Sequence, residues 1–73
     1  MSLEYIKEKF MGNQFMKKKL FNMLKSDGQY ISFNAQNGYQ YNIDLQGTGF
    51  CIRITVAFKD LATLNILDAA VID

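Results

Sequence analysis

The chain has 73 residues, a net charge of +1, one cysteine and no histidine. This length predicts a single domain over residues 1–73, and the lone cysteine excludes an internal disulfide and a thiol–imidazole metal site. So short a chain buries only about 60% of its unfolded surface. Because 49% of its residues are hydrophobic, we expect it to gain stability by association, as a homodimer or larger assembly.

The N-terminal third predicts helical structure interrupted near its middle. Ser2 is a good N-cap, and Gly12-Asn13 combines a common helix stop with a second N-cap. The pattern indicates two helices, roughly 3–11 and 14–26, or one helix kinked at Gly12. Apolar residues recur at helical spacing in both parts. They are Leu3, Ile6 and Phe10 in the first part, and Met16, Leu20, Met23 and Leu24 in the second.

Two further apolar residues, Met11 and Phe15, lie off the main stripe of a straight helix. A kink at Gly12 would turn both side chains into the core. A straight helix would instead leave them on the surface as a patch for binding a partner.

The stretch from Tyr30 to Phe58 predicts a three-stranded antiparallel meander. Asn37-Gly38 is a strong hairpin signal, and a three-residue loop, Gln36–Gly38, aligns apolar with apolar residues across the strands. A second loop, 46–49, returns the chain into the third strand. One face is then apolar and carries the aromatic residues Phe33, Tyr39, Tyr41, Phe50 and Phe58.

The opposite face of the meander is polar, so we expect one side of the sheet to face solvent. Arg53 lies within reach of Asp44, and Cys51 falls on this face by alternation, where it is expected to be accessible. Base stacking on the sheet is not favoured, because the aromatic residues lie on the other face. The polar residues are Ser32, Asn34, Gln40, Asn42, Asp44, Cys51, Arg53 and Thr55.

The C-terminal segment predicts a last helix, roughly 61–72, with Asp60 as its N-cap. Its inner side would consist of Leu61, Leu64, Leu67, Ala70 and Val71. The predicted fold is therefore α+β: an N-terminal helix, kinked or in two parts, a three-stranded meander and a C-terminal helix. All helices would lie on one face of the sheet.

This order of elements is similar to that of double-stranded RNA-binding domains. That family carries a Gly-Pro-x-His loop between its first two strands and a lysine cluster at the start of its last helix. Here the corresponding positions read Gln36-Asn37-Gly38 and Lys59-Asp60-Leu61. Because the residues that contact RNA are missing, we do not assign the chain to that family.

The basic residues are concentrated in the helical part. Residues 1–26 carry six lysines and two glutamates, a balance of +4, whereas residues 27–73 have a balance of −3. Consecutive helical residues point about 100° apart, so Lys17-Lys18-Lys19 does not form one patch. A solvated surface is the main interpretation, and an acidic protein or a nucleic acid are the alternatives. The candidate anion-binding residues are Lys7, Lys17, Lys18, Lys19 and Lys25.

The predicted third strand, residues 50–58, lies at an edge of a three-stranded meander. It has one charge, Arg53, and no proline, whereas natural edge strands are normally protected. We therefore expect it either to be covered by the N-terminal helix or to pair with another strand. The candidate partner-binding residues are Phe50, Ile52, Arg53, Ile54, Val56 and Phe58.

No catalytic, cofactor or metal motif stands out in the sequence. Gly47-Thr48-Gly49 precedes no helix, and Glu4 and Glu8 are spaced like many carboxylates on a helix face. The sequence favours a non-enzymatic protein-binding module, a self-associating adaptor or small regulator. A phage-encoded inhibitor of a host protein is one form of it, and a nucleic-acid-binding protein is the alternative. The lone cysteine, and the lack of a signal peptide or long apolar run, predict a protein of the cytoplasm with no membrane segment. The abundance of Lys, Asn, Ile, Phe, Tyr and Met, with no Pro, Trp or His, suggests an AT-rich coding genome, which is compatible with a bacterium or a phage.

Overall fold

Two helices precede a four-stranded antiparallel sheet in the computed structural model of the protein, which describes residues 2–72. The strands follow one another in the sheet in chain order, β1-β2-β3-β4. The fold is α+β, as predicted, but it has one strand more and one helix fewer than expected. The elements are α1 Leu3–Met11, α2 Gln14–Asp27, β1 Gln29–Asn34, β2 Gly38–Gly47, β3 Phe50–Phe58 and β4 Asn65–Val71.

Local capping residues define the two helices. The Ser2 hydroxyl accepts a hydrogen bond from the amide of Tyr5, and the Asn13 side chain accepts one from the amide of Met16, both at 3.2 Å. These bonds satisfy amides at each helix start that have no partner within the helix. Of the two alternatives, separate helices are therefore correct, and the break lies at Gly12-Asn13.

The break between the helices turns only one of the residues Met11 and Phe15 toward the core. Met11 is partly buried and packs against the core, whereas the Phe15 side chain is 73% exposed. The kink prediction is thus correct for Met11 and wrong for Phe15, which stays on the surface of α2.

The first hairpin has a different register from the predicted one. Phe33 lies opposite Tyr39 and Asn34 opposite Gly38, so the loop consists of residues 35–37. The Asn34 side chain sets this turn, because its Oδ1 accepts hydrogen bonds from the amides of Gln36 at 2.7 Å and Asn37 at 3.2 Å. Gly38 then takes a φ of +90°, a backbone conformation that glycine adopts at little cost.

The loop of the second hairpin is shorter than predicted. Leu45 lies opposite Ile52 and Gly47 opposite Phe50, which leaves Thr48-Gly49 as a two-residue loop. The predicted pairs, Phe33 with Tyr41 and Leu45 with Phe50, are each wrong by two residues. Because side chains alternate with a period of two, that error leaves the side chains on their predicted faces. Tyr30 is the exception, because a bulge at Ile31 moves it to the face of Tyr41.

The predicted C-terminal helix is replaced by a turn and the strand β4. Asp60 does act as a cap, since its Oδ1 accepts a hydrogen bond from the amide of Thr63 at 3.0 Å. The Thr63 hydroxyl in turn accepts one from the amide of Lys59 at 2.7 Å. The cap therefore closes a single turn, after which the chain runs back along β3.

A β-bulge explains why β4 has a helix-like sequence. Thr55 lies opposite Asp68 and Val56 opposite Ile66, so Leu67 is an extra residue on β4. The bulge places Ile66 and Ala69, three residues apart, on the same face. Residues three apart also lie on the same face of a helix, so periodicity alone does not distinguish a bulged strand from a helix.

The core lies between the helices and one face of the sheet, called here the inner face. Its residues come from α1, α2, β2, β3, and the segment that leads into and forms β4. In residues 2–72 no helix is both long and apolar enough to cross a membrane. The buried core residues are Ile6, Phe10, Leu20, Leu24, Ile43, Ile52, Ile54, Val56, Phe58, Leu64 and Ile66.

Candidate functional site

The fourth strand changes which surfaces are available for binding. β3 pairs with β2 on one side and with β4 on the other, so the prediction that it lies at an edge is wrong. Its backbone groups form ladder hydrogen bonds within the sheet, and pairing with a further strand is not possible there. The six residues proposed for that edge, Phe50, Ile52, Arg53, Ile54, Val56 and Phe58, all lie in this central strand, where Ile52, Ile54, Val56 and Phe58 are buried.

The open edges of the sheet are β1 and β4, and they differ in chemistry. Every residue of β1 is exposed, and none of them carries a charge. β4 carries Asp68 near its middle, and a charge is a common way of protecting an edge strand. β1 is therefore the less protected of the two edges.

Three aromatic side chains next to this edge form what we call the aromatic surface: Tyr30, Phe33 and Tyr39. They are 54%, 56% and 45% exposed, respectively. The ring centroids of Phe33 and Tyr39 are 4.9 Å apart, and those of Tyr30 and Tyr39 are 6.5 Å apart. These separations are typical of interacting aromatic pairs, so the three rings form one continuous surface.

The aromatic surface continues into the core on its inner side. Tyr41 stacks on Phe58 with a centroid distance of 5.3 Å, and Tyr30 contacts Tyr41 edge to face at 5.7 Å. Phe21 of α2 then packs against Phe58 at 5.1 Å. A row of rings thus anchors the exposed aromatic residues to the packed part of the molecule.

The position of the helices explains why these rings are exposed. The main helix–sheet contacts join α1 to β4 and α2 to β2, so the sheet extends beyond the helices at β1. Phe33 and Tyr39 do lie on the inner face, as predicted, but that face is not covered there. The argument against base stacking, which assumed that these rings are covered, is therefore wrong.

The opposite face of the sheet is polar, and its central feature is an ion pair between β2 and β3. Arg53 lies opposite Asp44 and donates from Nε and Nη2 to its two carboxylate oxygens, at 2.8 and 3.0 Å. The hydrogen bond from Arg53, supported by its positive charge, lowers the pKa of the Asp44 carboxyl. Both side chains are more than 40% exposed, so this is a solvated pair of small energetic value.

Cys51 lies on the polar face, as predicted, but it is buried, with 7% exposure. The Gln46 side chain lies directly across from it and its Nε2 is 3.5 Å from Sγ. The Ile72 amide also donates to the Cys51 carbonyl oxygen at 2.9 Å. The expectation of an accessible thiol is wrong because neighbouring residues cover it.

The predicted anion-binding lysines have different surroundings. Lys17 donates to the Ala62 carbonyl oxygen at 3.4 Å, and Lys25 lies over the ring of Phe21 with Nζ 4.7 Å from its centroid. Lys18 and Lys19 border a shallow hollow beside Phe15 on α2. Lys7 lies on α1, which the Gly12-Asn13 break separates from the others. Binding of an anion by these residues stays a prediction.

A second concave region lies between the helices and the β2–β3 hairpin, and we call it the hairpin groove. It has a volume of about 570 Å³ and a largely apolar lining. Lys9 of α1 and Lys19 of α2 both line it. The apolar residues around it are Tyr5, Ile6, Phe10, Met16, Met23, Ile43, Leu45, Phe50 and Ile52.

Sequence reasoning missed β1 as the exposed edge, although one signal pointed to it. No charged residue occurs between Asp27 and Asp44, a long interval for the surface of a small domain. A meander of three strands made β3 appear to be the unprotected edge. Only the presence of β4 shows that β1 has that role.

No protein-family model, curated protein or solved structure matches this chain. A proposal for its function therefore depends on the surfaces of the molecule itself.

Proposed function

We propose that this protein is a non-enzymatic protein-interaction module that self-associates through β1 and the aromatic surface. The observation that carries this proposal is the chemistry of β1. It is an open edge with six exposed, uncharged residues, and two of them, Tyr30 and Phe33, form the aromatic surface together with Tyr39 of β2. Large exposed apolar patches on small proteins commonly mark interaction sites.

The charge pattern supports a second copy of the chain as the partner. Two copies of β1 can approach without like-charge repulsion, since residues 28–43 carry no charge. A two-fold interface brings the same patch together from both copies and closes without forming a fibre. The edge strands β4, each with Asp68, would then form the outer edges of the assembly.

The small area of such a dimer interface predicts weak association. A fully buried aromatic side chain contributes roughly 150–250 Å², so three half-exposed rings offer about 300 Å² per copy. Backbone and polar side chains of β1 bring the two-copy total toward the roughly 1,200 Å² of a small specific interface. We therefore expect a dissociation constant in the micromolar range.

The bulge in β1 determines which groups contribute most. Tyr30 lies opposite Tyr41 and Ser32 opposite Gln40, so Ile31 is the extra residue. Only the short segment from Ser32 to Asn34 remains regular beyond it. Contacts between aromatic side chains are therefore expected to contribute more than a long ladder of backbone hydrogen bonds.

Light scattering coupled to size-exclusion chromatography, over a hundredfold range of concentration, tests this proposal. Phe33→Lys places a charge in the interface and is expected to shift the dimer to monomer. Phe15→Lys is the matched control, because it makes the same change at an exposed phenylalanine on α2. A wild-type protein that stays monomeric at every concentration, or a dimer that Phe15→Lys disrupts and Phe33→Lys does not, would contradict the proposal.

Binding of single-stranded nucleic acid is a second candidate function, supported by the exposure of the aromatic surface. Bases stack on such rings without strong sequence preference. Lys25 lies over Phe21 nearby, and the stem of Lys59 runs beside Gly38. Fluorescence anisotropy with a labelled single strand, at low and high salt, tests it. We expect Phe33→Ala to weaken binding by about 1–3 kcal/mol; no binding at low salt excludes this function.

A further inference from the structure

We propose that the hairpin groove binds a small amphiphile with one anionic head group, such as a medium-chain carboxylate. In this arrangement the alkyl chain lies in the groove, and Lys9 and Lys19 contact the carboxylate. The inference goes beyond self-association and does not depend on it, because the groove and the aromatic surface have no lining residue in common.

Uneven packing of the core is the first argument. Around Ile54, Val56 and Ile66 the core is closed, since these side chains have no exposure. Near the β2–β3 hairpin, by contrast, Ile43 and Ile52 border the open groove. Protein interiors seldom leave voids larger than a water molecule. A space of about 570 Å³ instead lies within the range of pockets that bind small molecules.

The lining matches an alkyl chain. Ile43, Leu45 and Ile52 line the groove from the sheet, and Met16 and Met23 line it from α2. Methionine side chains are flexible and polarisable, so they adapt to ligands of irregular shape. Phe50 and Tyr5 are partly exposed at the groove and can cover a bound chain.

The charges at the groove favour an anion at one end. Neither Lys9 nor Lys19 forms an ion pair with any residue in the range 2–72. Asp44 also borders the groove, but its charge is paired with Arg53 on the polar face. Asp27 also lines the groove, but it lies eight residues beyond Lys19 on α2, which corresponds to about 12 Å along the helix. An anionic head group at Lys19 is therefore well separated from this carboxylate.

Titration of the wild-type protein with decanoate, below its micelle concentration, is the first test. Calorimetry measures the affinity, and amide NMR spectra locate the binding site. We expect chemical-shift changes at Ile43, Leu45 and Ile52. Decyltrimethylammonium has the same chain length and the opposite charge, and we expect it to bind about tenfold or more weakly. Equal binding of the two amphiphiles, shifts confined to β1, or no binding of decanoate would overturn the proposal.

Variants test the role of the two lysines. Lys9→Glu combined with Lys19→Glu is expected to weaken decanoate binding about tenfold or more. The matched control combines Lys7→Glu with Lys18→Glu, which makes the same change of charge with one residue on each helix and neither in the groove. An equal loss of affinity in both double variants would mean that decanoate binding depends only on the net charge of the protein. That result would refute the proposal that Lys9 and Lys19 contact the carboxylate.

A third variant separates this inference from the proposed function. Phe33→Lys is expected to abolish self-association and to leave decanoate binding unchanged. Loss of decanoate binding in the folded Phe33→Lys monomer would show that the ligand binds at the aromatic surface and would overturn the groove proposal alone.

Discussion

Substitutions at Ile66 and Leu67 discriminate between a strand and a helix at the C-terminal end. Ile66 is completely buried and Leu67 is 39% exposed. Ile66→Ala removes buried methyl groups and leaves a cavity, which costs about 2–5 kcal/mol of unfolding free energy. Leu67→Ala acts on a partly exposed residue in a bulge, and we expect a cost of less than about 1 kcal/mol. A C-terminal helix with Leu67 on its inner side predicts the opposite order.

Urea unfolding, followed by far-ultraviolet circular dichroism, measures both costs. At about 0.05–0.15 kcal/mol per residue the whole chain has only roughly 4–11 kcal/mol of stability, so Ile66→Ala could leave it largely unfolded. Ile66→Val, with an expected cost of about 0.5–1.5 kcal/mol, keeps the comparison measurable. If Leu67→Ala destabilises the protein more than Ile66→Ala does, the strand assignment and the bulge argument are both refuted.

Two further predictions concern the polar face and the loops. Because the pKa of Asp44 is lowered by Arg53, its contribution to stability is present above the ordinary pKa of 3.8 and is lost as pH falls through the lowered value. The difference in unfolding free energy between wild type and Asp44→Asn should therefore be constant near neutral pH and shrink in acid; a difference that grows in acid contradicts this reasoning. Gly38→Ala should destabilise the protein by about 1–3 kcal/mol, because the left-handed backbone is strained and the new methyl group meets the carbonyl of Phe58. Gly49→Ala shares the positive φ but points into open space, so urea unfolding should show a smaller loss than for Gly38→Ala.

The candidate site was only partly predictable. The sequence indicates that Phe33 and Tyr39 share the apolar face, and the register confirms it. It does not indicate that both are exposed, because exposure depends on how far the helices reach across the sheet. It likewise places Lys9 and Lys19 on separate helices, and only the packing of α1 against α2 brings both to one groove.

The helical part was determined almost entirely by local sequence. Ser2, Asn13 and Gly12 supply the caps and the break, and the apolar stripes contain the residues that become buried. Hydrogen bonds within a helix and at its caps join residues close in the chain, so the bounds of the helices can be predicted without knowledge of the tertiary structure. The division of β2 and β3 into an apolar and a polar face was equally local, because it depends only on alternation. In β1 the bulge at Ile31 interrupts this alternation.

The tertiary structure alone decided the identity of β4 and, with it, the edges of the sheet. Asp60 is a good cap for either a helix or a turn, and the spacing of Ile66 and Ala69 is compatible with both structures. Pairing with β3 settles the choice, since it supplies hydrogen-bond partners for the backbone of both strands and buries Ile66 completely. The contacts between β3 and β4 join residues from different parts of the chain, so they cannot be predicted from a local sequence pattern. The same pairing closes the edge at β3 and leaves β1 as the uncharged edge of the sheet.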